Sequence, residues 1–304
     1  MQKYINPYTD FGFKKLFGEE ANKDLLIDFL NALLPEYHQV KTLEFRNPEQ
    51  LGDSAYDRRA VFDVFCDAEN GDKFIVEMQK EDQEYFKDRS VFYSTHLIQG
   101  QGQKGKWNYK LKAVYFIGIL DFVYDKNKPD PILIREVSLK DQFGEEFYKK
   151  LQYIYIQMPV FHKTESELKT PKDKWLFFLK NLPSLEHIPS ILNEDIVFQK
   201  AFHTAEVAAM PKNDRDRYQH ELKQYWDYWS TFQTAEKKGL AQGLTKGIAQ
   251  GLTKGIAQGR AEGKAEGKTE EKIEIARNMK IEGFDSAMIA KVTGLTPDEI
   301  EQLD

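Results

Sequence analysis

Apolar positions recur at helical spacing twice near the start of the chain. Thr9 or Asp10 offers an N-cap before FGFKKLFG, and a second amphipathic stretch, 23–34, stops at Pro35. The period then shortens to two. Strands are predicted over 61–67, 74–80 and 111–122, the last (LKAVYFIGILDF) so continuously apolar that it reads as buried on both faces. A helix is expected over 81–99, between the second and third strands. A further β-like stretch, 151–161 (LQYIYIQMPVF), closes this part. From 170 to about 233 the pattern turns helical again. It carries Trp175, Phe177, Phe178, Tyr225, Trp226, Tyr228, Trp229 and Phe232, which are expected to pack on the core.

This order predicts an α/β fold, a mixed sheet flanked by helices, with a helical C-terminal extension. The expected divisions are a core over 1–165, a helical region packing on it over 166–235, a repeat segment over 236–268 and a small helical tail over 269–304. The repeat places glycine at 239, 243, 247, 251, 255, 259, 263 and 267. In a single helix each glycine advances about 40° around the axis, so the glycine stripe spirals. Each glycine costs on the order of 1 kcal/mol relative to alanine, which leaves a lone solvated helix marginal. Two readings stand: a flexible helical linker, or a segment packing against a second copy through Leu240, Leu244, Ile248, Leu252 and Ile256. In the tail, Gly283 and Gly294 read as helix stops and Thr296-Pro-Asp-Glu as a capping box, a helix-turn-helix-like outline. Asp298, Glu299, Glu301 and Asp304 face no Lys or Arg in the last twelve residues, which favours a protein contact over DNA there.

Composition narrows the function. With 304 residues, 41% of them hydrophobic, the chain can bury a full core. The net charge of −6 excludes a global basic field, so any nucleic-acid contact must come from local patches. Arg58, Arg59, and Lys104, Lys106, Lys110 and Lys112 around Trp107 and Tyr109 provide them. The single cysteine, Cys66, excludes an intramolecular disulfide and a cysteine zinc cluster. No secretory pattern and no membrane-length apolar run is present, so a cytoplasmic protein without membrane contact is expected.

The chemistry concentrates in VFDVFCDAENGDKFIVEMQK. Alternation places Glu77 and Gln79 on one face, and Asn70-Gly71 marks a turn. A two-residue type I′ turn pairs Asp63 with Met78 and sends Asp63 and Glu77 to opposite faces. A three-residue loop, 69–71, with Gly71 left-handed as a bulge, sets Asp63 directly opposite Glu77. Opposed residues have Cβ atoms roughly 4.5–5.5 Å apart, where two carboxylates repel unless neutralised. A divalent cation would do this; oxygen donors suit Mg²⁺ or Mn²⁺, the ions of phosphodiester hydrolysis. His96, the only histidine near the motif, reads as structural.

The segments TDFGFKKLFG, DRRAVFDVFCDAENGDKFIVEMQK and DRSVFYSTHLIQGQ resemble the Rpn family of recombination-promoting nucleases and transposase-like proteins, over roughly residues 5–125, and the glycine-repeat tail is similar too. The resemblance implies a restriction-endonuclease-like PD-(D/E)XK core and a Mg²⁺-dependent DNA endonuclease, with Mn²⁺ or Ca²⁺ as alternatives, acting in recombination or in mobile-element and phage DNA processing. It implies Asp63 and Glu77 as metal ligands and Gln79 at the position that is lysine in the general motif. Asp10 matches an acidic position at the start of the first helix, where a third carboxylate could reach the metal or simply cap the helix. Glutamine cannot supply lysine's charge, and Lys14, Lys80 and Arg89 are the candidate substitutes. Tyr93 lies one turn beyond Arg89 on the same helical face. Two rivals remain: a catalytically weak nuclease-fold DNA-binding or regulatory module, and a self-assembling interaction protein. DNA is the expected partner, with a second copy or another protein meeting residues 236–304.

Overall fold

The computed structural model describes residues 2–35, 38–47, 49–50, 60–80, 83–124 and 131–303. The chain divides into two compact units, Met1–Asp227 and Tyr228–Asp304. Arg58 and Arg59, two of the expected DNA contacts, lie outside the described residues.

The first unit is built on β1 (Leu43–Phe45), β2 (Glu49–Gln50), β3 (Ala60–Val61), β4 (Val64–Ala68), β5 (Lys73–Gln79), β6 (Val114–Leu120), β7 (Ile134–Lys140) and β8 (Glu146–Gln157). Six of these form one sheet in the order β1-β4-β5-β6-β8-β7, and β2 and β3 pair separately. β5, β6 and β8 run parallel and the other pairs of the large sheet antiparallel, so the sheet is mixed as expected. β6 is buried at every position, the result its unbroken apolar run predicts for a central parallel strand.

Helices α1 (Asp10–Phe17), α2 (Lys23–Leu33), α4 (Pro171–Asn181), α5 (Ser190–Asn193) and α6 (Ile196–Ala205) supply the larger core, which meets Val64, Cys66, Val76 and Met78 of the hairpin strands. Helix α3 (Phe86–Gln99) covers the opposite face over Phe65, Ile75, Phe116 and Tyr155. Two buried hydroxyl pairs dock it on β8, Ser90 with Tyr155 at 2.6 Å and Ser94 with Tyr153 at 2.8 Å. Thr9 caps α1, its hydroxyl accepting the Gly12 N–H. Cys66 is a free buried thiol, and burial pushes it up to about 12.

Three expectations need correction. The strand expected over 61–67 is broken, with Phe62 and Asp63 between β3 and β4. The helix expected over 81–99 begins only at Phe86. The strand expected over 151–161 begins earlier, at Glu146, with a first half, 146–150, added to a strand that pairs along its length with β7, which the pattern did not predict. β7 and that half of β8 stand largely in water, so neither shows the apolar alternation that betrays a half-buried strand. Of the aromatics expected in the core, Trp175, Phe177 and Phe178 are there, whereas Trp226 and Phe232 are 51% and 47% exposed.

Helix α7 (Lys212–Ile281) runs unbroken through the glycine repeat. In the repeat Leu240, Leu244, Ile248, Leu252 and Ile256 are all exposed. The second unit ends in α8 (Ser286–Thr293) and α9 (Pro297–Glu301), which with the end of α7 close a small core of Ala276, Ile289 and Ile300. Gly283 and Gly294 both take positive φ at the helix stops, and Thr296 forms the capping box with Glu299. No helix among the described residues is long and apolar enough to cross a membrane.

The β4–β5 loop depends on Gly71, whose φ is +85° and where an added Cβ would stand 3.1 Å from the Lys112 side chain. Gly71→Ala should therefore destabilise the protein by about 1–2 kcal/mol, read as a lower urea midpoint at unchanged slope. An unchanged midpoint would show that the loop does not hold this conformation.

Candidate active site

The loop joining β4 to β5 is Glu69-Asn70-Gly71. Gly71 N–H donates to the Ala68 carbonyl at 2.8 Å, and Ala68 N–H donates across the loop to the Asp72 carbonyl, also at 2.8 Å. The Asn70 side chain braces it, accepting the Asp72 N–H at 2.8 Å. Lys112, expected among the DNA-facing lysines, instead donates to the Asn70 carbonyl at 2.5 Å. This is the three-residue bulged loop, and the register follows from it: Val64 faces Val76, Phe65 faces Ile75, Cys66 faces Phe74 and Asp67 faces Lys73. Carried one step further, Asp63 faces Glu77.

At that step the ladder changes character. Asp63 N–H donates to Glu77 Oε1 at 3.2 Å, and Met78 N–H donates to Asp63 Oδ2 at 2.7 Å. Each backbone amide is thus satisfied by a carboxylate of the opposite strand. This exchange accounts for β4 beginning only at Val64, and it holds the two acids together. Gln79 completes the arrangement, its Nε2 donating to Glu77 Oε2 at 2.9 Å.

Glu77 and Gln79 are buried. Burial raises Glu77 well above the usual carboxylate range, the neighbouring Asp63 charge raises it further, and Arg89 and Lys14 oppose both. Burial likewise pushes Asp63 up to about 6, against the Met78 N–H and the charges of Lys14 and Lys80, with Asp10 adding to the rise. Two acids that resist ionisation this way are a site waiting for positive charge.

The other expected residues surround this pair unequally. Asp10 is not gathered with it: its carboxylate pairs with Lys14 at 2.8 Å and lies 4.0 Å from Arg217, although Asp63 feels its charge. Among the described residues no three His, Cys, Asp or Glu side chains stand together as a metal-holding set, so the donors on offer are two carboxylates. Lys80 sits 5.9 Å over the Tyr225 ring. Arg89 donates to Gln79 Oε1 and, at 2.8 Å, to Gln83 Oε1, with its guanidinium 5.8 Å over the Tyr93 ring. Tyr93 itself packs edge-on against Phe62. The Trp107 and Tyr109 rings meet at a tilt of 37° with centroids 4.8 Å apart, and Tyr109 is largely exposed.

Two features escaped the sequence reading. Asp121, immediately after β6, donates its N–H to the Gln79 carbonyl at 2.9 Å, and burial pushes its carboxyl up to about 6. A lone acid ending an all-apolar strand was its only signal. The start of α7 reaches back to α1: Glu221 Oε2 accepts the Phe11 N–H at 2.6 Å, and the Tyr218 hydroxyl accepts the Asn6 N–H at 2.8 Å. No local pattern announces contacts across some two hundred residues.

A mixed sheet flanked by helices, with an aspartate and a glutamate brought together at a bulged hairpin, is the arrangement expected of a PD-(D/E)XK core. Comparison with family profiles matches residues 7–235 to the PD-(D/E)XK nuclease family transposase, and the chain belongs to that family. Residues 269–304 match the C-terminal helix-turn-helix domain of the Rpn/YhgA-like nuclease family. Comparisons with curated proteins and with solved structures gave no match.

The raised carboxyls make stability depend on pH in a stated direction. Asp63 binds its proton more tightly folded, near 6, than unfolded, near its ordinary value of about 3.9. The stability this contributes is complete below the unfolded value and is lost as pH rises through about 6. Without divalent cations, raising pH from 4.5 to 7 should destabilise wild type more than Asp63→Asn. Because Asp121 titrates in the same window in both proteins, the difference between their thermal midpoints is the readout. A difference that does not change with pH would contradict the assignment.

Proposed function

We propose that this chain is a divalent-cation-dependent endodeoxyribonuclease acting in recombination or in mobile-element and phage DNA processing. The observation that carries this reading is the exchange of backbone amides between Asp63 and Glu77, which holds a half-buried and a buried carboxylate together. All the donors are hard oxygens, and two carboxylates suit Mg²⁺, which keeps several waters and takes further oxygens from substrate phosphate; Mn²⁺ or Ca²⁺ fits the same donors. When bound there, such an ion would supply Lewis-acid polarisation and lower the pKa of water.

The chain's own residues do the rest. Asp63 and Glu77 would hold the ion, and the Met78 and Asp63 amides hold the Asp63 and Glu77 carboxylates in place for it. Gln79 holds Glu77 from the other side. Lys80, and Lys14 although it is paired with Asp10, bring positive charge near Asp63, which would ease the approach of a phosphodiester to a chain whose net charge is −6. The C-terminal helix-turn-helix match supports a second DNA contact, while the acidic end of that tail supports a protein contact instead.

The decisive test is nicking of supercoiled plasmid with and without Mg²⁺. Asp63→Ala and Glu77→Ala should each lower the rate by roughly two orders of magnitude or more. DNA binding without cleavage by the wild-type protein would favour the non-catalytic rival.

The exposed aliphatic row on α7 supports a further reading, self-association through 236–304. Truncation after Thr234 should then reduce the assembly to a monomer by light scattering. A monomeric full-length chain would dismiss this reading and leave the nuclease untouched.

A further inference from the structure

Glutamine at 79 leaves the site without the cation that a lysine there would bring, and the geometry around it shows where a replacement stands. Gln79 is 7% exposed, and both ends of its amide are engaged. Nε2 donates to Glu77 Oε2 at 2.9 Å, and Oε1 accepts from Arg89 Nη2. A guanidinium only donates, so Arg89 dictates the orientation of the amide, oxygen outward and N–H inward to the carboxylate. Arg89 is itself fixed. Its other amino group donates to Gln83 Oε1 at 2.8 Å, its plane lies over Tyr93, and the Ser90–Tyr155 and Ser94–Tyr153 pairs dock its helix.

We propose that Arg89 is a positioning residue that supplies the positive charge of the site through the Gln79 amide, so that the Gln79–Arg89 pair does the work of one lysine. This deepens the nuclease reading and rests on it. In a weakly polar interior, hydrogen bonds in a chain polarise one another. A neutral amide held between a guanidinium and a carboxylate therefore passes on part of the charge while fixing Glu77 in place. The alternative, that Arg89 merely braces α3, is met by Gln83 and Tyr93 alone and does not require the amide of Gln79.

The pairing has a consequence that a bracing role does not share. A lysine at 79 would drive its ammonium toward the half-exposed guanidinium, placing two cations together. Gln79→Lys alone should therefore impair the site, although it restores the general motif. Combined with Arg89→Met, it should recover.

The test compares plasmid nicking with Mg²⁺ by wild type, Arg89→Met, Arg89→Lys, Gln79→Lys and the double variant Gln79→Lys/Arg89→Met, each checked for unchanged thermal unfolding. Arg89→Met should lower kcat by roughly 10- to 100-fold with little change in KM. Arg89→Lys should retain most of the activity, and the double variant should exceed both of its parent singles. A wild-type rate in folded Arg89→Met, or a double variant no better than the poorer single, overturns the proposal. Independently of turnover, the side-chain amide protons of Gln79 should exchange with solvent slowly in wild type and faster in Arg89→Met. Equal exchange overturns the relay even if the chain cleaves nothing, whereas absent wild-type cleavage with the exchange difference intact counts against the nuclease reading alone.

Discussion

Two negative charges held at contact range repel by about 4 kcal/mol at the effective dielectric of a protein surface, and the groups around Asp63 and Glu77 oppose that repulsion. Asp63 and Glu77 lie together because each closes a backbone hydrogen bond that the β-ladder would otherwise have made. Releasing either acid would strand a main-chain amide, so the fold penalises separation of the pair. A single residue in the left-handed region, Gly71, sets the register that makes the exchange possible. A one-residue slip would send one of the two acids to the far side of the sheet. The positive side chains around the pair, Lys14, Lys80 and Arg89, each reach it from a different element: α1, the end of β5, and α3.

How much of this could be read in advance follows from how local each cause is. The hairpin was legible because Asn70-Gly71 and the alternating residues on either side specify turn and register within some twenty residues. Of the two turns the sequence allowed, the bulged one is present, and it needs only a glycine at its third position. The buried strand β6 was legible because an unbroken apolar run has few other destinations. β7 was not, since a strand lying largely in water carries no clear alternation, and the exposed first half of β8 was lost for the same reason. Nor did any pattern show that Arg89 and Gln79 would meet, because that contact depends on how α3 docks on β8 through two serine–tyrosine pairs.

The aromatic run of 225–232 shows the complementary error. Aromatics at helical spacing are ordinarily core, yet Trp226 and Phe232 face water, since a helix can bury only the stripe it presents to a neighbour. The glycine repeat obeys the same geometry. A spacing of four on a turn of 3.6 residues spreads both glycines and aliphatics progressively around the axis, so no fixed stripe exists to dock on a flat surface. A Cβ at any of these eight glycines would meet nothing within 4 Å. The chain therefore keeps glycine where its own fold does not require it, at a cost in helix propensity on the order of 1 kcal/mol each. That cost is incurred without return inside the monomer.

Charge explains why such a site can belong to an acidic protein. Ionised and without a counter-ion, Asp63 and Glu77 would repel a phosphodiester and add to a net charge already at −6. Burial and the neighbouring Asp63 charge raise Glu77's affinity for its proton, which keeps that penalty from being fully expressed. A divalent cation displacing that proton would leave the local charge near zero, where ionisation without the cation would leave it negative. The same ion would then govern whether DNA is admitted and whether it is cut. Binding and chemistry would be linked through one pair of carboxylates, without the broad basic surface that non-specific DNA binders carry.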